Sequence, residues 1–144
     1  PYLARNAMQN PPPLSFLRNF IVDRSGEHKN QFDIKLRGMM PLADAARVLA
    51  LDMGIRGAWS TLDRFEKIAQ MDPAHADIAR EAAVAYSIMM KFRARNGLDQ
   101  EGSGRYLNPE HLGKIDRQTL RNSFQTIQEV QTMLRMRYQL DYLR

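Results

Sequence analysis

A long helical repeat of apolar residues in the middle of the chain most constrains the fold. Five of them, Ile78, Ala82, Ala85, Met89 and Phe92, recur at steps of four and three, which places them on one face of a helix. Asp72-Pro73 before the repeat is typical of a helix start, and Asn96-Gly97 after it is typical of a helix end. These signals predict one long helix whose apolar face has to be covered by other helices.

Three further helices are predicted from the same periodicity. The first begins at Pro41 and ends at Gly54, because glycine readily takes the left-handed conformation that closes a helix. The second begins after Ser60, whose hydroxyl can cap it, and stops near Met71. The last runs over about residues 116–141. Only one short extended segment accompanies them, so the predicted fold class is an all-α antiparallel helix bundle with an irregular, partly extended N-terminal segment.

The first 31 residues lack the long apolar repeat that predicts the other helices. Residues 2–8 are predicted as the tail of a helix, which Pro11-Pro12-Pro13 ends because proline lacks an amide donor. Residues 14–22 are predicted as a short apolar element. The chain begins without an initiator Met or a helix cap, and 144 residues are the size of one domain. We therefore interpret residues 1–144 as a single helical domain cut from a longer chain.

An alternating run of apolar and charged residues follows at residues 32–38. In an extended strand, Phe32, Ile34 and Leu36 would point to one face and the charged residues between them to the other. The sequence therefore predicts an extended segment with a charged row made of Asp33, Lys35 and Arg37. The turn-rich basic segment at residues 24–29 comes directly before it. We expect the functional site to lie in this region.

The composition argues against several classes of function. The chain has no cysteine, and His28, His75 and His111 are far apart in sequence, so we expect neither a disulfide nor a metal site. It contains no run of about 18 apolar residues, so we expect no membrane span and a cytoplasmic location. Lys and Arg exceed Asp and Glu by 21 to 16. Because acidic residues are interleaved with the basic ones, binding of nucleic acid is not favoured.

The chain shows no catalytic nucleophile, acid-base pair or metal cluster at recognisable spacing. Gly102-Ser103-Gly104-Arg105 could suggest a phosphate-binding loop, but it lacks the Gly-Lys-Ser/Thr ending. It could also suggest the Gly-Ser start of a nucleotidyltransferase site, but no Asp-x-Asp pair for magnesium follows. We interpret residues 98–106 as a connection between helices, with contact to a partner domain as the alternative. Asn108-Pro109 then predicts a short helix.

Cationic residues of the N-terminal segment are the candidate ligand contacts. The net charge of +5 favours an anionic partner. Lys35 and Arg37 either bind such a partner or form salt bridges with nearby carboxylates. His28 is either a solvent-exposed turn residue or a contact to a phosphate or a partner domain beside Arg24 and Lys29.

Several separated motifs resemble one protein family. They are Pro-Pro-Pro-Leu-Ser-Phe-Leu-Arg-Asn-Phe at 11–20, Arg-Ser-Gly-Glu-His-Lys at 24–29, Phe-Asp-Ile-Lys-Leu-Arg-Gly at 32–38, Pro-Leu-Ala-Asp-Ala-Ala-Arg-Val at 41–48, Ser-Thr-Leu-Asp-Arg-Phe at 60–65, Gly-Ser-Gly-Arg-Tyr-Leu-Asn-Pro at 102–109 and Arg-Tyr-Gln-Leu at 137–140. Together they closely resemble the nucleotidyltransferase substrate-binding domain. In that family this is the C-terminal helical domain of bacterial signal-transduction proteins that also carry cyclic-nucleotide-binding-like and CBS modules and a nucleotidyltransferase-like domain.

The resemblance implies a substrate-binding and regulatory domain whose catalytic residues lie in the preceding domain. Its candidate contacts to substrate or to that partner domain are Arg24, Glu27, His28, Lys35, Arg37, Arg47 and Arg64. It implies no catalytic residue, metal ligand or cofactor in this chain, and it assigns Mg²⁺ and a nucleoside triphosphate to the parent protein. Expected partners are the adjacent nucleotidyltransferase-like domain, a nucleotide or an acidic protein substrate, and a second copy in a homodimer. The alternative is a pure interaction or dimerisation module that docks neighbouring domains without contacting substrate.

Overall fold

A computed structural model describes residues 2–14 and 19–140 of the chain. The protein is an all-α bundle with one short β-ribbon. The helices are α1 (Tyr2–Asn6), α2 (Met40–Asp52), α3 (Thr61–Met71), α4 (Ala76–Asp99) and α5 (Lys114–Tyr138). A π-helical turn, Lys35–Met39, leads into α2, and 3-10 turns occupy Pro73–His75 and Pro109–His111. The ribbon pairs β1 (Phe32–Asp33) with β2 (Tyr106–Leu107). The predicted fold class is confirmed.

The core lies between α2, α3, α4 and α5. α4 packs against both α3 and α5, and α2 contacts the same two helices from the other side. The predicted apolar face of α4 is buried from Ala82 to Phe92, whereas Ile78 is half-buried. Facing it, Phe65 of α3 and Phe124 of α5 have almost no exposed surface. Each large apolar side chain of this kind stabilises the fold by about 1.5–3 kcal/mol when it is fully buried. The buried side chains of the four helices together form one continuous core.

Three helices end at the same end of the bundle. Arg137, near the end of α5, contacts both Asp52 at the end of α2 and Asp72 directly after α3. Residues 53–60 therefore carry the chain back along α3, where Lys67 Nζ donates to the carbonyl oxygen of Arg56 at 3.1 Å. α4 starts beside Asp72 and runs antiparallel to both α3 and α5. Its middle lies beside the π-helical turn, where a Cβ atom at Gly38 would lie 2.5 Å from the sulfur of Met89.

Most predicted helix ends are confirmed by their caps. The Ser60 hydroxyl accepts from the Asp63 amide at 3.0 Å, and Asp63 accepts from the Ser60 amide in return. Gly54 takes the left-handed conformation with φ of 67°. Asn108 caps the predicted short helix by accepting from the Glu110 amide at 3.0 Å.

Other predicted helix ends are displaced. α4 begins at Ala76 rather than at Pro73, because residues 73–75 form a 3-10 turn. Gly97 does not end α4, which continues to Asp99. A Cβ atom at Gly97 would lie 2.9 Å from the carbonyl oxygen of Gly102, so this glycine allows the next loop to approach the helix. α5 begins at Lys114 and ends at Tyr138, and the predicted end at residue 141 lies outside the described residues.

The N-terminal segment lies against the bundle. α1 ends at Asn6, earlier than predicted, and Gln131 of α5 donates to the carbonyl oxygens of Ala7 and Asn10. Of the predicted apolar element, residues 15–18 lie outside the described residues. Phe20 stacks on the Phe32 ring at a centroid distance of 5.8 Å, so the end of that element joins the core.

The prediction of an extended charged row over residues 32–38 is wrong. Extended pairing stops at Asp33, and the backbone turns helical from Ile34 onward. Asp33 causes this change because its Oδ1 accepts from the Leu36 amide at 3.0 Å, as a helix-capping residue does. Phe32 and Ile34 are buried as predicted, whereas Leu36 is only half-buried. Helical residues two positions apart do not share a face, so Lys35 and Arg37 do not form a row with Asp33.

Candidate functional site

Residues 23–31 form a closed loop, called here the ribbon loop, directly before β1. The Asp23 amide donates to the Gln31 carbonyl at 3.0 Å, and the Asn30 amide donates to the Asp23 carbonyl at 2.7 Å. Gly26 and Asn30 both have positive φ, which lets the chain reverse. The exposed side chains of the loop include Arg24, Glu27 and Lys29. These charges are therefore presented on an ordered backbone.

His28 anchors the ribbon loop to β2. Its ring stacks on Tyr106 with a centroid distance of 3.4 Å and an interplanar angle of 6°. Its Nδ1 lies 3.3 Å from Oε1 of Gln31, within the same loop. The side chain is half-buried rather than free in solvent. The structure therefore gives His28 a packing contact, and the possibility of a ligand contact remains only for its exposed edge.

An ion pair joins the two strands of the ribbon. Arg105, one residue before β2, donates from Nε to Oδ2 of Asp33 at 3.0 Å and also contacts that oxygen through Nη2. Asp33 raises the pKa of Arg105 chiefly through this hydrogen bond. The Arg105 guanidinium also lies 5.4 Å from the centroid of the Tyr106 ring. Sequence reasoning missed Arg105 because it treated the surrounding loop as a plain connection.

α4 holds the loop that carries Arg105. Asn96 Nδ2 donates to the carbonyl oxygens of Gly104 and Tyr106 at 3.1 and 2.8 Å. Arg93 Nε donates to the Ser103 carbonyl at 3.0 Å. A Cβ atom at Gly104 would lie 1.9 Å from the Arg93 carbonyl oxygen, and φ is 69° there. The Gly-Ser-Gly-Arg segment is thus a helix connection that fixes the position of β2.

Arg37 lies between the ribbon loop and the proline segment. Its Nε donates to the Pro11 carbonyl at 3.3 Å. Burial lowers the pKa of Arg37, and the negative charge of Asp23 opposes that change. An arginine remains cationic under such conditions. Lys35, two residues earlier in the same π-helical turn, is half-buried. Arg37 therefore lies close to Asp23 of the ribbon loop, and Lys35 belongs to the same π-helical turn.

The structure separates the predicted contacts into two groups. In the first group, Arg24, Glu27 and His28 belong to the ribbon loop, Arg37 lies close to its Asp23, and Lys35 lies in the same π-helical turn as Arg37.

Arg47 lies ten residues beyond Arg37, about 15 Å along a helix, and pairs with Asp44 at 2.8 Å on an exposed surface. Arg64 lies in the first turn of α3, half-buried. Among the described contacts, none joins Arg64 to the ribbon loop. The structure therefore does not bring Arg47 and Arg64 to the same place as the other candidates.

We call the first group and its neighbours the ribbon site. Its cations are Arg24, Lys29, Lys35, Arg37 and Arg105, and its carboxylates are Asp23, Glu27 and Asp33. The excess of positive charge favours an anionic ligand, since a cation bound to phosphate or carboxylate makes charge-assisted hydrogen bonds. Over residues 2–14 and 19–140, no cluster of three or more His, Asp or Glu side chains is arranged to hold a metal ion. In the same part of the chain, every helix is too short or too polar to cross a membrane.

Comparison with known proteins identifies the family. Searches of curated proteins and of solved structures gave no match. A protein-family comparison matches residues 1–138, nearly the whole chain, to one family. The match includes the ribbon loop, the β-ribbon and all five helices. The chain therefore belongs to the family described as the putative nucleotidyltransferase substrate binding domain.

Proposed function

We propose that this domain binds the substrate of an adjacent nucleotidyltransferase-type domain through the ribbon site. The observation that carries the proposal is the ordered ribbon loop. Its own backbone hydrogen bonds and the stacking of His28 on Tyr106 hold it in place. Arg24 is thereby presented on an ordered backbone, next to Asp23, whose negative charge acts on Arg37 of the π-helical turn. Such preorganisation lowers the entropic cost of binding an anion.

The domain would act by closing one side of the active-site cleft of its partner. Arg24, Lys35 and Arg37 would direct positive charge toward a nucleotide phosphate or an acidic protein substrate. Chemistry, with its Mg²⁺ and nucleoside triphosphate, would remain with the adjacent domain. We further propose that the parent is a cytoplasmic bacterial signal-transduction protein with CBS and cyclic-nucleotide-binding-like modules, in which substrate capture by this domain is regulated.

The chain alone should transfer no nucleotide. Its described residues offer no carboxylate cluster suited to a metal ion, and phosphoryl chemistry of this kind relies on one. Incubating the 144-residue chain with labelled ATP or UTP, Mg²⁺ and candidate acceptor proteins should give no labelled product. Magnesium-dependent labelling that survives repeated purification of the chain would contradict this expectation.

Binding can be tested in a longer chain that includes the nucleotidyltransferase-type domain. Lys35→Ala combined with Arg37→Ala should weaken binding of ATP or UTP by about tenfold or more, because each lost charge-assisted hydrogen bond is worth about 1.5–3 kcal/mol. Arg47→Ala is the matched control, since Arg47 is an exposed arginine away from the ribbon site. Isothermal titration calorimetry gives the affinities. A large loss of thermal stability with unchanged affinity per folded molecule would show that these residues are structural.

The alternative function is a pure interaction module. The ion pair between Asp33 and Arg105 favours this function, because two charges of the ribbon site already bind each other within the chain. In that case the ribbon site would dock the adjacent domain directly. Arg24→Ala would then weaken association of the separately expressed nucleotidyltransferase-type domain, and addition of ATP or UTP would not change that association. If the ribbon site binds substrate instead, addition of ATP or UTP should change the association of the two domains.

Nucleic acid remains a disfavoured ligand. The site mixes carboxylates with its cations, whereas a nucleic-acid interface concentrates positive charge. Affinity for duplex or single-stranded DNA tighter than about 1 μM near physiological salt, with a steep salt dependence, would contradict this view.

A further inference from the structure

α4 carries a stripe whose charge changes sign along the helix. Six residues form this α4 stripe: Asp77, Glu81, Val84, Ile88, Lys91 and Arg95. Five of them are exposed, and Ile88 is half-buried against the core. Their spacing alternates between four and three residues, which keeps them on one face. That face points away from the buried Ala82 and Met89. The stripe is acidic at its start, apolar at its centre and basic at its end.

The centre of the α4 stripe is an apolar ridge between two grooves. Val84 is 59% exposed and lies beside the half-buried Ile88, one turn further along the helix. On one side, a groove of about 630 Å³ between α3 and α4 is lined by Leu62, Ala69 and Ala83. On the other side, a groove of about 270 Å³ lies between α4 and α5. A ridge beside a groove is the shape that helices use when they pack on one another.

The α4 stripe is complementary to itself when two copies run antiparallel. With a twofold axis midway between Val84 and Ile88, Glu81 opposes Lys91 of the second copy, and Val84 opposes Ile88. Asp77 likewise opposes Arg95. Each contact occurs twice, because a twofold interface is isologous. A parallel arrangement would instead place like charges together, which destabilises helix pairs.

Glu81 and Lys91 are the charges most available for this role. Asp77 already lies 3.7 Å from Arg80, and Arg95 already pairs with Asp116 at 2.7 Å. Neither Glu81 nor Lys91 has an ion-pair partner among the described residues. Both side chains are exposed. Their complementarity across a twofold axis is therefore not already used within one chain.

We propose that the α4 stripe is a homodimer interface in which two copies of this chain pair antiparallel through α4. The Val84–Ile88 ridges provide the apolar contact, and the two Glu81–Lys91 pairs set the orientation. This surface is separate from the ribbon site, so dimerisation does not depend on the proposed substrate binding.

Charge reversal tests the interface on the 144-residue chain. Analytical ultracentrifugation at low salt should show a monomer–dimer equilibrium for the unmodified chain. Glu81→Lys and Lys91→Glu should each weaken dimerisation by about tenfold or more, because each replaces two attractive pairs with two repulsive ones. The double variant Glu81→Lys/Lys91→Glu should restore dimerisation, since the opposed charges are then exchanged. Glu129→Lys, an equal charge change on α5, is the matched control and should leave the equilibrium unchanged.

A second substitution tests the apolar contact of the proposed dimer. Val84→Glu should abolish the dimer while circular dichroism shows an unchanged helical content, because Val84 makes its proposed contact outside the core. A chain that stays monomeric at about 100 μM, well above the range of specific association, would overturn the proposal. So would a dimer that Val84→Glu leaves intact, or a double variant that remains as weak as the single ones.

Discussion

Replacing Asp33 tests how the ribbon site is held together. The two carboxylate oxygens of Asp33 accept hydrogen bonds from different partners. Oδ1 accepts from the Leu36 amide at 3.0 Å and caps the helical path into α2, whereas Oδ2 accepts from Arg105. Asp33→Ala removes both interactions. Asp33→Asn keeps the cap, because asparagine caps helices as well as aspartate does. It removes the charge and the acceptor for Arg105, because the amide nitrogen that replaces Oδ2 can only donate.

The expected magnitudes follow from the two contacts. Loss of a cap costs about 0.5–2 kcal/mol. The Asp33 and Arg105 side chains are 12% and 31% exposed, so their pair is worth somewhat more than a fully exposed one, about 1 kcal/mol. Asp33→Ala should therefore lower the free energy of unfolding by about 1.5–3 kcal/mol, and Asp33→Asn by about 1 kcal/mol. For a chain of this size, 1 kcal/mol corresponds to roughly 3 °C in Tm.

Urea denaturation followed by circular dichroism measures these differences. A double-mutant cycle of Asp33→Asn with Arg105→Gln isolates the ion pair, because the two residues are in direct contact. We expect a coupling free energy of about 1 kcal/mol. If Asp33→Asn destabilises as much as Asp33→Ala, the cap contributes nothing and our account of the helix start is wrong. A coupling near zero would refute the role of Arg105.

Three further predictions concern stability. Gly104→Ala should destabilise by about 3 kcal/mol or more in urea denaturation, because a Cβ atom would meet the Arg93 carbonyl at 1.9 Å. Gly102→Ala should cost less than about 1 kcal/mol, because a Cβ atom there would lie 3.8 Å from the Gln100 carbonyl oxygen. Phe124→Ala should cost about 3–5 kcal/mol, since Phe124 is fully buried against the rings of Phe20 and Phe32, and a loss below about 1 kcal/mol would contradict its central place in the core. The hydrogen bond from Arg137 lowers the pKa of Asp52. A carboxyl group whose pKa is lowered in the folded state stabilises the fold at pH values above its unfolded-state pKa, which is about 4. That contribution is lost as the pH falls below this value. Arg137→Gln should therefore reduce stability at pH 6 but much less at pH 2.5, and an equal loss at both values would show that the charge is irrelevant.

The bundle could be predicted because its signals are local. The apolar spacing in α4, the Ser60 cap and Gly54 each act within a few residues of where they stand in the sequence. Helical periodicity over many residues has few alternative interpretations. The buried face of α4 was consequently predicted almost residue by residue.

The ribbon site could not be predicted in the same way, because its contacts are long-range. Seven residues of alternating character are too few to separate a strand from the start of a helix. The capping role of Asp33 became evident only with the structure. Arg105 lies 72 positions away from it in sequence, in a segment whose glycines suggested only a connection. His28 likewise depends on Tyr106, which comes from the opposite half of the chain.

α4 connects the two surfaces that carry the proposals. Its residues Arg93 and Asn96 hold the loop that positions β2 and hence Arg105 and Tyr106. Its α4 stripe lies on the outer face, centred about two turns earlier. Both sets of residues lie on one continuous helix, which fixes the position of the stripe relative to the ribbon site. Substitutions at Val84 and at Asp33 should nevertheless have additive effects on stability, since the two residues share no partner among the described contacts. A departure from additivity larger than about 0.5 kcal/mol in urea denaturation would show that the two surfaces are coupled.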